Sequence, residues 1–197
     1  MTLPPIIRIF FAIELPSAVK TQVGNLISNL KKKAKTKAIR WAKPENLHIT
    51  LQFLPEVRAN DIERLIKEVR SKLENFSVST RVDLENLQIF PNPFRPRVIV
   101  LTVTQQSFLA ELSALIGRGI VNAAYEIENR PFKAHLTLGR IKHVQDTNLS
   151  FLNECKPQAI TGMEIGEVVL FRSEPRPDGS SYIPMERIIL SHATKRF

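Results

Sequence analysis

Two histidines of this chain stand in the same short frame, Leu47-His48-Ile49-Thr50-Leu51 and Ala134-His135-Leu136-Thr137-Leu138. In an extended strand residues i and i+2 share a face, so each frame offers an imidazole and a hydroxyl on one side and apolar side chains on the other. An imidazole takes or gives a proton near neutral pH, and a threonine hydroxyl donates to an oxyanion. Two such strands facing one cavity would hold an acid, a base and two donors for phosphoryl oxygens, which is what cleavage of a phosphodiester can use. A lone histidine in an apolar strand is more often a hydrogen-bonded structural residue. Repetition weighs against that reading here, because two of the four histidines share the frame. His143 and His192 lie outside it and read as surface or structural residues.

A metal centre is the main chemical competitor, and its other ligands are missing. Neither frame has an acidic residue two or four positions after its histidine, and there is no His-Glu-x-x-His and no cysteine pair. No metal and no cofactor are expected. A phosphoryl site also needs a cation, and Arg140 follows His135 by an odd offset. On an ideal strand it would point away from the site, so it reaches the phosphate only if the strand twists, bulges or ends near Gly139.

The 28 Lys and Arg residues against 19 Asp and Glu give a net charge of +9, which attracts polyanions. The densest basic segment holds Lys31, Lys32, Lys33, Lys35, Lys37 and Arg40. It suits a nucleic-acid partner, although lysines ending a helix also complement its dipole. No apolar run reaches the ~20 residues of a membrane span, so no membrane partner is expected. The start of the chain lacks the pattern of a secretory signal, and the cytoplasm is the expected location. The single Cys155 allows no intramolecular disulfide.

The elements that must carry the frames are legible from periodicity. Residues 6–15 read as a buried strand ending at Pro16, followed by a helix with Val19, Val23, Leu26, Ile27 and Leu30 on one face. A strand over 47–53 carries the first frame. A helix follows, opening at Asn60 with Glu63 in capping-box spacing. Strands are expected over 78–90 and 97–104, a third helix over 106–122, and the second frame in a strand over 132–141. A short helix over 148–155 and strands near 162–172 and 181–191, around the Pro175-Arg176-Pro177-Asp178-Gly179 turn, complete the chain.

The mixture predicts an α+β fold with mostly antiparallel sheets. The two frames lie almost half the chain apart, which predicts a single domain over 1–197 built as two pseudo-symmetric lobes. Each lobe is expected to be a sheet with helices on its outer side, the two facing each other across a central groove. Phe11 and Trp41 are candidates for stacking a terminal base, with core packing as the alternative for both, and Arg40 is a further candidate for contacting RNA.

Several further segments accompany the frames in order: Arg40-Trp41 with Pro44-Glu45-Asn46, Phe94-Arg95-Pro96-Arg97-Val98, Arg130-Pro131-Phe132-Lys133, Gly139-Arg140, and Leu170-Phe171-Arg172-Ser173-Glu174. In this ordered set the chain resembles the RNA 2′,3′-cyclic phosphodiesterases, historically called 2′-5′ RNA ligases, of the two-histidine (2H) phosphoesterases. The resemblance implies metal-free hydrolysis of RNA 2′,3′-cyclic phosphate ends to 2′-phosphates, with 2′-5′ joining of tRNA-half-like ends as a related activity. A monomer is expected. It implies His48 as proton donor and His135 as proton acceptor, with Thr50, Thr137 and Arg140 holding the phosphate. Pro55 and Ala134 depart from the family pattern, which usually has Gly and Pro there. Two other functions use the same frames: cleavage of a small cyclic nucleotide or an ADP-ribose cyclic phosphate, and non-catalytic binding of an RNA end.

Overall fold

The computed structural model describes residues 4–78, 80–143, 147–155, 157–177 and 179–192. The chain opens with strand β1 (Ile6–Glu14), and Pro16 sets the start of helix α1 (Ser17–Ala34). Val19, Val23, Ile27 and Leu30 form the buried face of α1, and Lys31, Lys32 and Lys33 occupy its last turn, where they complement the helix dipole. Lys35 ends the helix in the left-handed region with φ 45°. A short strand β2 (Ile39–Trp41) and a 3₁₀ turn over Pro44–Asn46 lead into β3 (His48–Arg58), which carries the first frame.

Helix α2 (Ile62–Leu73) begins one residue later than the Asn60 signal predicts, with Asp61 in place of Asn60 at its N-cap. Residues Ala59–Asp61 form a 3₁₀ turn, and no side-chain cap bond forms at the helix start. The Asp61 carboxylate is instead taken by Tyr125 Oη at 2.7 Å, Arg58 Nε at 2.7 Å and Arg64 at 3.1 Å. Strands β4 (Ser77–Val78), β5 (Arg81–Phe90) and β6 (Val98–Val103) follow, then α3 (Gln106–Asn122) and β7 (His135–Ile141), which carries the second frame.

The helix expected over 148–155 is only a 3₁₀ turn over Ser150–Leu152. Asn148 Oδ1 accepts from the Ser150 N–H at 2.8 Å and fixes a tight turn, and the segment is too short to sustain a helix of its own. Strands β8 (Ile160–Glu164), β9 (Glu167–Arg176), β10 (Gly179–Ile189) and β11 (Ser191–His192) end the fold. Asp178 of the expected turn lies outside the described residues, as does the side chain of His192. His143 is exposed.

The architecture is α+β, with three α-helices among the described residues and a largely antiparallel sheet. The two halves are not separate sheets. One nine-stranded sheet runs β10-β9-β1-β3-β7-β6-β5-β8 with β2 on β7, and its halves meet through a single residue pair, Ile49 with Leu136. The helices also cross between halves: α3 packs against β3 and along α2, whereas α1 packs against the Ser150–Leu152 turn and β8. Gly119 permits the α2–α3 approach, because a Cβ there would lie 2.6 Å from Val69 Cα. The main core includes Ile9, Phe11 and Ile13 of β1, Ile49 of β3, Leu136 of β7 and the buried faces of all three helices. A smaller cluster of Phe10, Ala12, Val169 and Phe171, joined by Tyr182, lies separately from it. Among the described residues no helix is long and apolar enough to cross a membrane.

Candidate active site

Both frames sit beside β-bulges at equivalent positions. Along β1 and β3 the register passes from Phe11–Gln52 to Ala12–Thr50 and leaves Leu51 as the extra residue. Along β6 and β7 it passes from Ile99–Gly139 to Val100–Thr137 and leaves Leu138 over. A bulge reverses the alternation of faces. Leu136 and Leu138 are buried on the face opposite His135 and Thr137, and past the bulge Arg140 returns to the groove that those two residues line. The odd offset of Arg140 is resolved in this way. In β3 the equivalent position is Phe53, which also lines the groove and is covered by the Arg8 guanidinium at 5.9 Å.

The bulges are held by different means. In β7 the Leu138 carbonyl accepts from the Ala42 N–H at 2.8 Å, an extension of the β2 pairing. In β3 the Leu51 carbonyl accepts from Ser113 Oγ of α3 at 2.8 Å, and Gln52 Nε2 donates to the same serine at 3.0 Å. Ser113 is buried, so the helix behind the sheet fixes a kink in the strand that carries Thr50.

Ile49 and Leu136 each follow their histidine directly, so the antiparallel pair between them marks a pseudo-two-fold axis. Continued by one residue, that register sets His48 against Thr137 and Thr50 against His135. Both imidazoles are oriented alike. His48 Nδ1 lies 2.7 Å from the Asn46 carbonyl and His135 Nδ1 lies 2.8 Å from the Lys133 carbonyl. A carbonyl only accepts, so Nδ1–H donates in both rings and Nε2 is left as the free nitrogen.

The segments supplying those carbonyls are themselves anchored. Asn46 Nδ2 donates to the Ser180 carbonyl at 2.9 Å. Gln106, the first residue of α3, binds the backbone just before His135: its Oε1 accepts from the Ala134 N–H and its Nε2 donates to the Ala134 carbonyl, each at 2.9 Å. Nε2 also reaches the Val103 carbonyl at 2.7 Å. Ala134, a departure from the family pattern, thus supplies an N–H that proline would lack and Gln106 uses it. Replacing Gln106 by Ala strands two backbone groups of a buried residue, so we expect a loss of roughly 1–3 kcal/mol in urea denaturation. A fall in kcat should accompany it as the His135 ring loses its fixed orientation.

The two histidines differ in surroundings. Phe10 lies 4.7 Å from His48 between ring centroids, and Tyr182 meets it edge-on at 5.1 Å. Burial is the main cause that pushes the His48 pKa down to about 4, with Arg140, His135 and Lys20 adding repulsion against its charged form. His135, with Phe90 at 5.1 Å, is also lowered, first by burial and then by Arg140, Arg130 and Lys133. Arg140 thus acts on both rings. Glu14 stands opposite His48 in the β1–β3 register. Burial would raise its pKa, but Lys20 at 2.8 Å and Arg187 at 2.7 Å outweigh this and hold it below the ordinary carboxylate range.

The groove occupies about 960 Å³, near the upper end for ligand sites. It is lined by Arg40, Lys43, Arg95, Arg97, Arg130, Lys133 and Arg140 against one carboxylate, Glu128, which pairs with Arg130 at 2.8 Å. Such a field favours an anion. Among the described residues no three His, Cys, Asp or Glu side chains come together as a metal site.

His48, Thr50, His135, Thr137 and Arg140 all line this one groove, with Arg40 and Trp41 at its wall. Trp41 also packs over Gly139, where a Cβ would lie 3.1 Å from its ring, and its indole N–H is buried with no partner among the described residues. Phe11 does not reach the groove. It is fully buried in the core, and its neighbour Phe10 faces the groove instead. Ile9-Phe10-Phe11-Ala12 is apolar throughout, so alternation could not show which aromatic faced which side. Gln106 and Ser113 were also not indicated by the sequence, since each acts on a frame far away along the chain.

Known proteins resemble this chain in sequence and in fold. The chain is 29% identical to an RNA 2′,3′-cyclic phosphodiesterase of Methanothermobacter thermautotrophicus over 182 residues, 91% of this chain and 97% of that protein. An RNA 2′,3′-cyclic phosphodiesterase of Archaeoglobus fulgidus is also 29% identical, over 89% of this chain and 96% of its own. Among solved structures, E. coli LigT complexed with 3′-AMP shares the fold with a TM-score of 0.73 at 24% identity, covering 95% of this chain and 99% of that one. Residues 13–100 and 103–182 match the sequence profile of the LigT-like phosphoesterases, and the chain belongs to that family of 2H phosphoesterases.

Proposed function

We propose that this protein hydrolyses RNA 2′,3′-cyclic phosphate ends to 2′-phosphates without a metal. The observation that carries the reading is the pair of imidazoles, each with Nδ1–H held by a backbone carbonyl, lining one cationic groove together with two threonines and Arg140. Neutral His135 takes a proton from water as its oxygen attacks phosphorus. The bond from phosphorus to O3′ breaks, and protonated His48 gives its proton to that oxygen. A 3′-hydroxyl and a 2′-phosphate result, and proton exchange with solvent resets both rings. Thr50 and Thr137 donate to the non-bridging oxygens, while Arg140 balances the charge gathered in the transition state. The assignment of donor and acceptor follows the family resemblance. Joining of tRNA-half-like ends is the same displacement with an RNA 5′-hydroxyl in place of water.

The pH dependence follows from the two lowered pKa values. One ring must be charged and the other neutral. With one proton on the pair, the free protein holds it mainly on His135, whose pKa is the less lowered, so the productive form with the proton on His48 is a minority state with the same pH limits. The value of kcat/KM should fall below about pH 4, where both are charged. It should also fall above the His135 value, which lies under the ordinary 6.5, where both are neutral. The optimum of kcat/KM is therefore expected on the acid side of neutrality. That of kcat should lie higher, since a bound phosphate anion stabilises the imidazolium. An RNA oligonucleotide ending in a 2′,3′-cyclic phosphate, incubated with the protein in EDTA, tests the proposal directly. An untouched substrate, or turnover that requires an added metal, defeats it. Turnover of a cyclic mononucleotide or an ADP-ribose cyclic phosphate but not of RNA would reassign the substrate.

A further inference from the structure

We propose that Phe94 is a stacking platform for a nucleobase of the RNA strand upstream of the reacting end, which makes an oligonucleotide a better substrate than a cyclic mononucleotide; this rests on the RNA-end reading above. The Phe94 side chain is 94% exposed, more than any other large hydrophobic residue described. Its loop is not loose. Asn92 Oδ1 accepts from the N–H groups of Phe94 and Arg95, each at 3.0 Å, and the Arg97 N–H closes the loop onto the Phe90 carbonyl at 2.9 Å. Pro91, Pro93 and Pro96 restrict the backbone between them. A loop whose backbone is already fixed adds little ordering cost beyond the two side-chain torsions of the ring it presents.

The position of the loop identifies the partner. Its base, Phe90, packs against His135 at 5.1 Å, and Pro91, Arg95 and Arg97 line the groove. From Phe90 the chain reaches Phe94 in four residues, at most about 13–14 Å. The exposed ring is thus within reach of the first few nucleotides behind the cyclic phosphate. An aromatic face between arginines on a cationic rim is the combination that binds single-stranded nucleic acid, phosphates on the cations and bases on the ring.

The test compares a hexanucleotide ending in a 2′,3′-cyclic phosphate with the cyclic mononucleotide. Phe94→Ala should raise KM for the hexamer about five- to 150-fold with kcat unchanged, and leave both parameters for the mononucleotide as they were. Phe94→Trp should keep the hexamer KM and Phe94→Leu should not, because leucine keeps apolar bulk without a π-face. Equal effects on both substrates, or none on either, overturn the proposal. A hexamer ending in a 2′-phosphate, with 2-aminopurine placed at each upstream position in turn, decides the stacking independently of turnover. Quenching by the unaltered protein at one position, lost in Phe94→Ala, supports it; quenching that survives the substitution at every position sinks it. If the unaltered protein turns over neither substrate, the phosphodiesterase reading fails while the quenching still decides the role of Phe94. A change in sedimentation on Phe94→Ala with hexamer binding intact would assign the ring to a protein contact and also overturn the proposal.

Discussion

Replacing either His48 or His135 by alanine is expected to lower kcat/KM for an RNA 2′,3′-cyclic phosphate end by about 10²- to 10⁴-fold, the range for removing one positioned acid or base. The double replacement should cost little more than the worse single one, since the two act in one concerted exchange. The separate roles can be read from the leaving group. In a cyclic substrate whose O3′ is replaced by sulfur, the thiolate departs without needing a proton. If His48 is the donor, the defect of His48→Ala shrinks on that substrate while that of His135→Ala persists. The opposite pattern would exchange the two roles and leave the phosphodiesterase reading intact. Full activity in both alanine variants, with folding verified by circular dichroism, would remove the imidazoles from the mechanism. The pseudo-two-fold axis at Ile49 and Leu136 explains why the two sites are so alike chemically. The unequal settings, aromatic around His48 and cationic around His135, explain why they need not be interchangeable.

Arg140→Ala is expected to lower kcat by about 10²- to 10³-fold, the cost of losing one oriented donor to the oxygens that gain charge. Arg140→Lys keeps the charge but loses the planar fork and should recover only part of the rate. A second readout separates this role from a merely structural one. Arg140 lowers the pKa of both histidines, so its removal should raise both and move the two limbs of the kcat/KM profile to higher pH. Titration of the His48 and His135 ring protons by NMR in the free protein would show the same upward displacement. An unchanged profile together with an unchanged rate would place Arg140 outside the site's chemistry.

Arg140 also shows where sequence reasoning reached its limit. Its residue type and its closeness to His135 were plain, but its direction was not. Direction depended on the bulge at Leu138, set by how β7 registers with β6 and held by the Ala42 N–H. The same holds for the β1 aromatics. The strand was predictable from its composition, yet whether Phe10 or Phe11 faced the groove was decided by pairing with β3 and β9 and by helices packing behind. The helix expected over 148–155 failed because local hydrogen bonding outcompeted a short, weakly amphipathic pattern. Gln106 and Ser113 carried no local signal, since their partners Ala134 and Leu51 are reached only through the fold.

The sequence by itself determined that this protein has two strands, each presenting a histidine and a threonine on one face, and that its surface attracts anions. Those properties are local, resting on the period-two geometry of a strand and on charge composition. The tertiary structure alone decided that the strands meet at Ile49 and Leu136, that matched bulges bring Arg140 and Phe53 into one groove, and that Phe11 stays in the core. Each of these is a matter of register between segments far apart along the chain, and a one-residue change of register exchanges the faces of a strand.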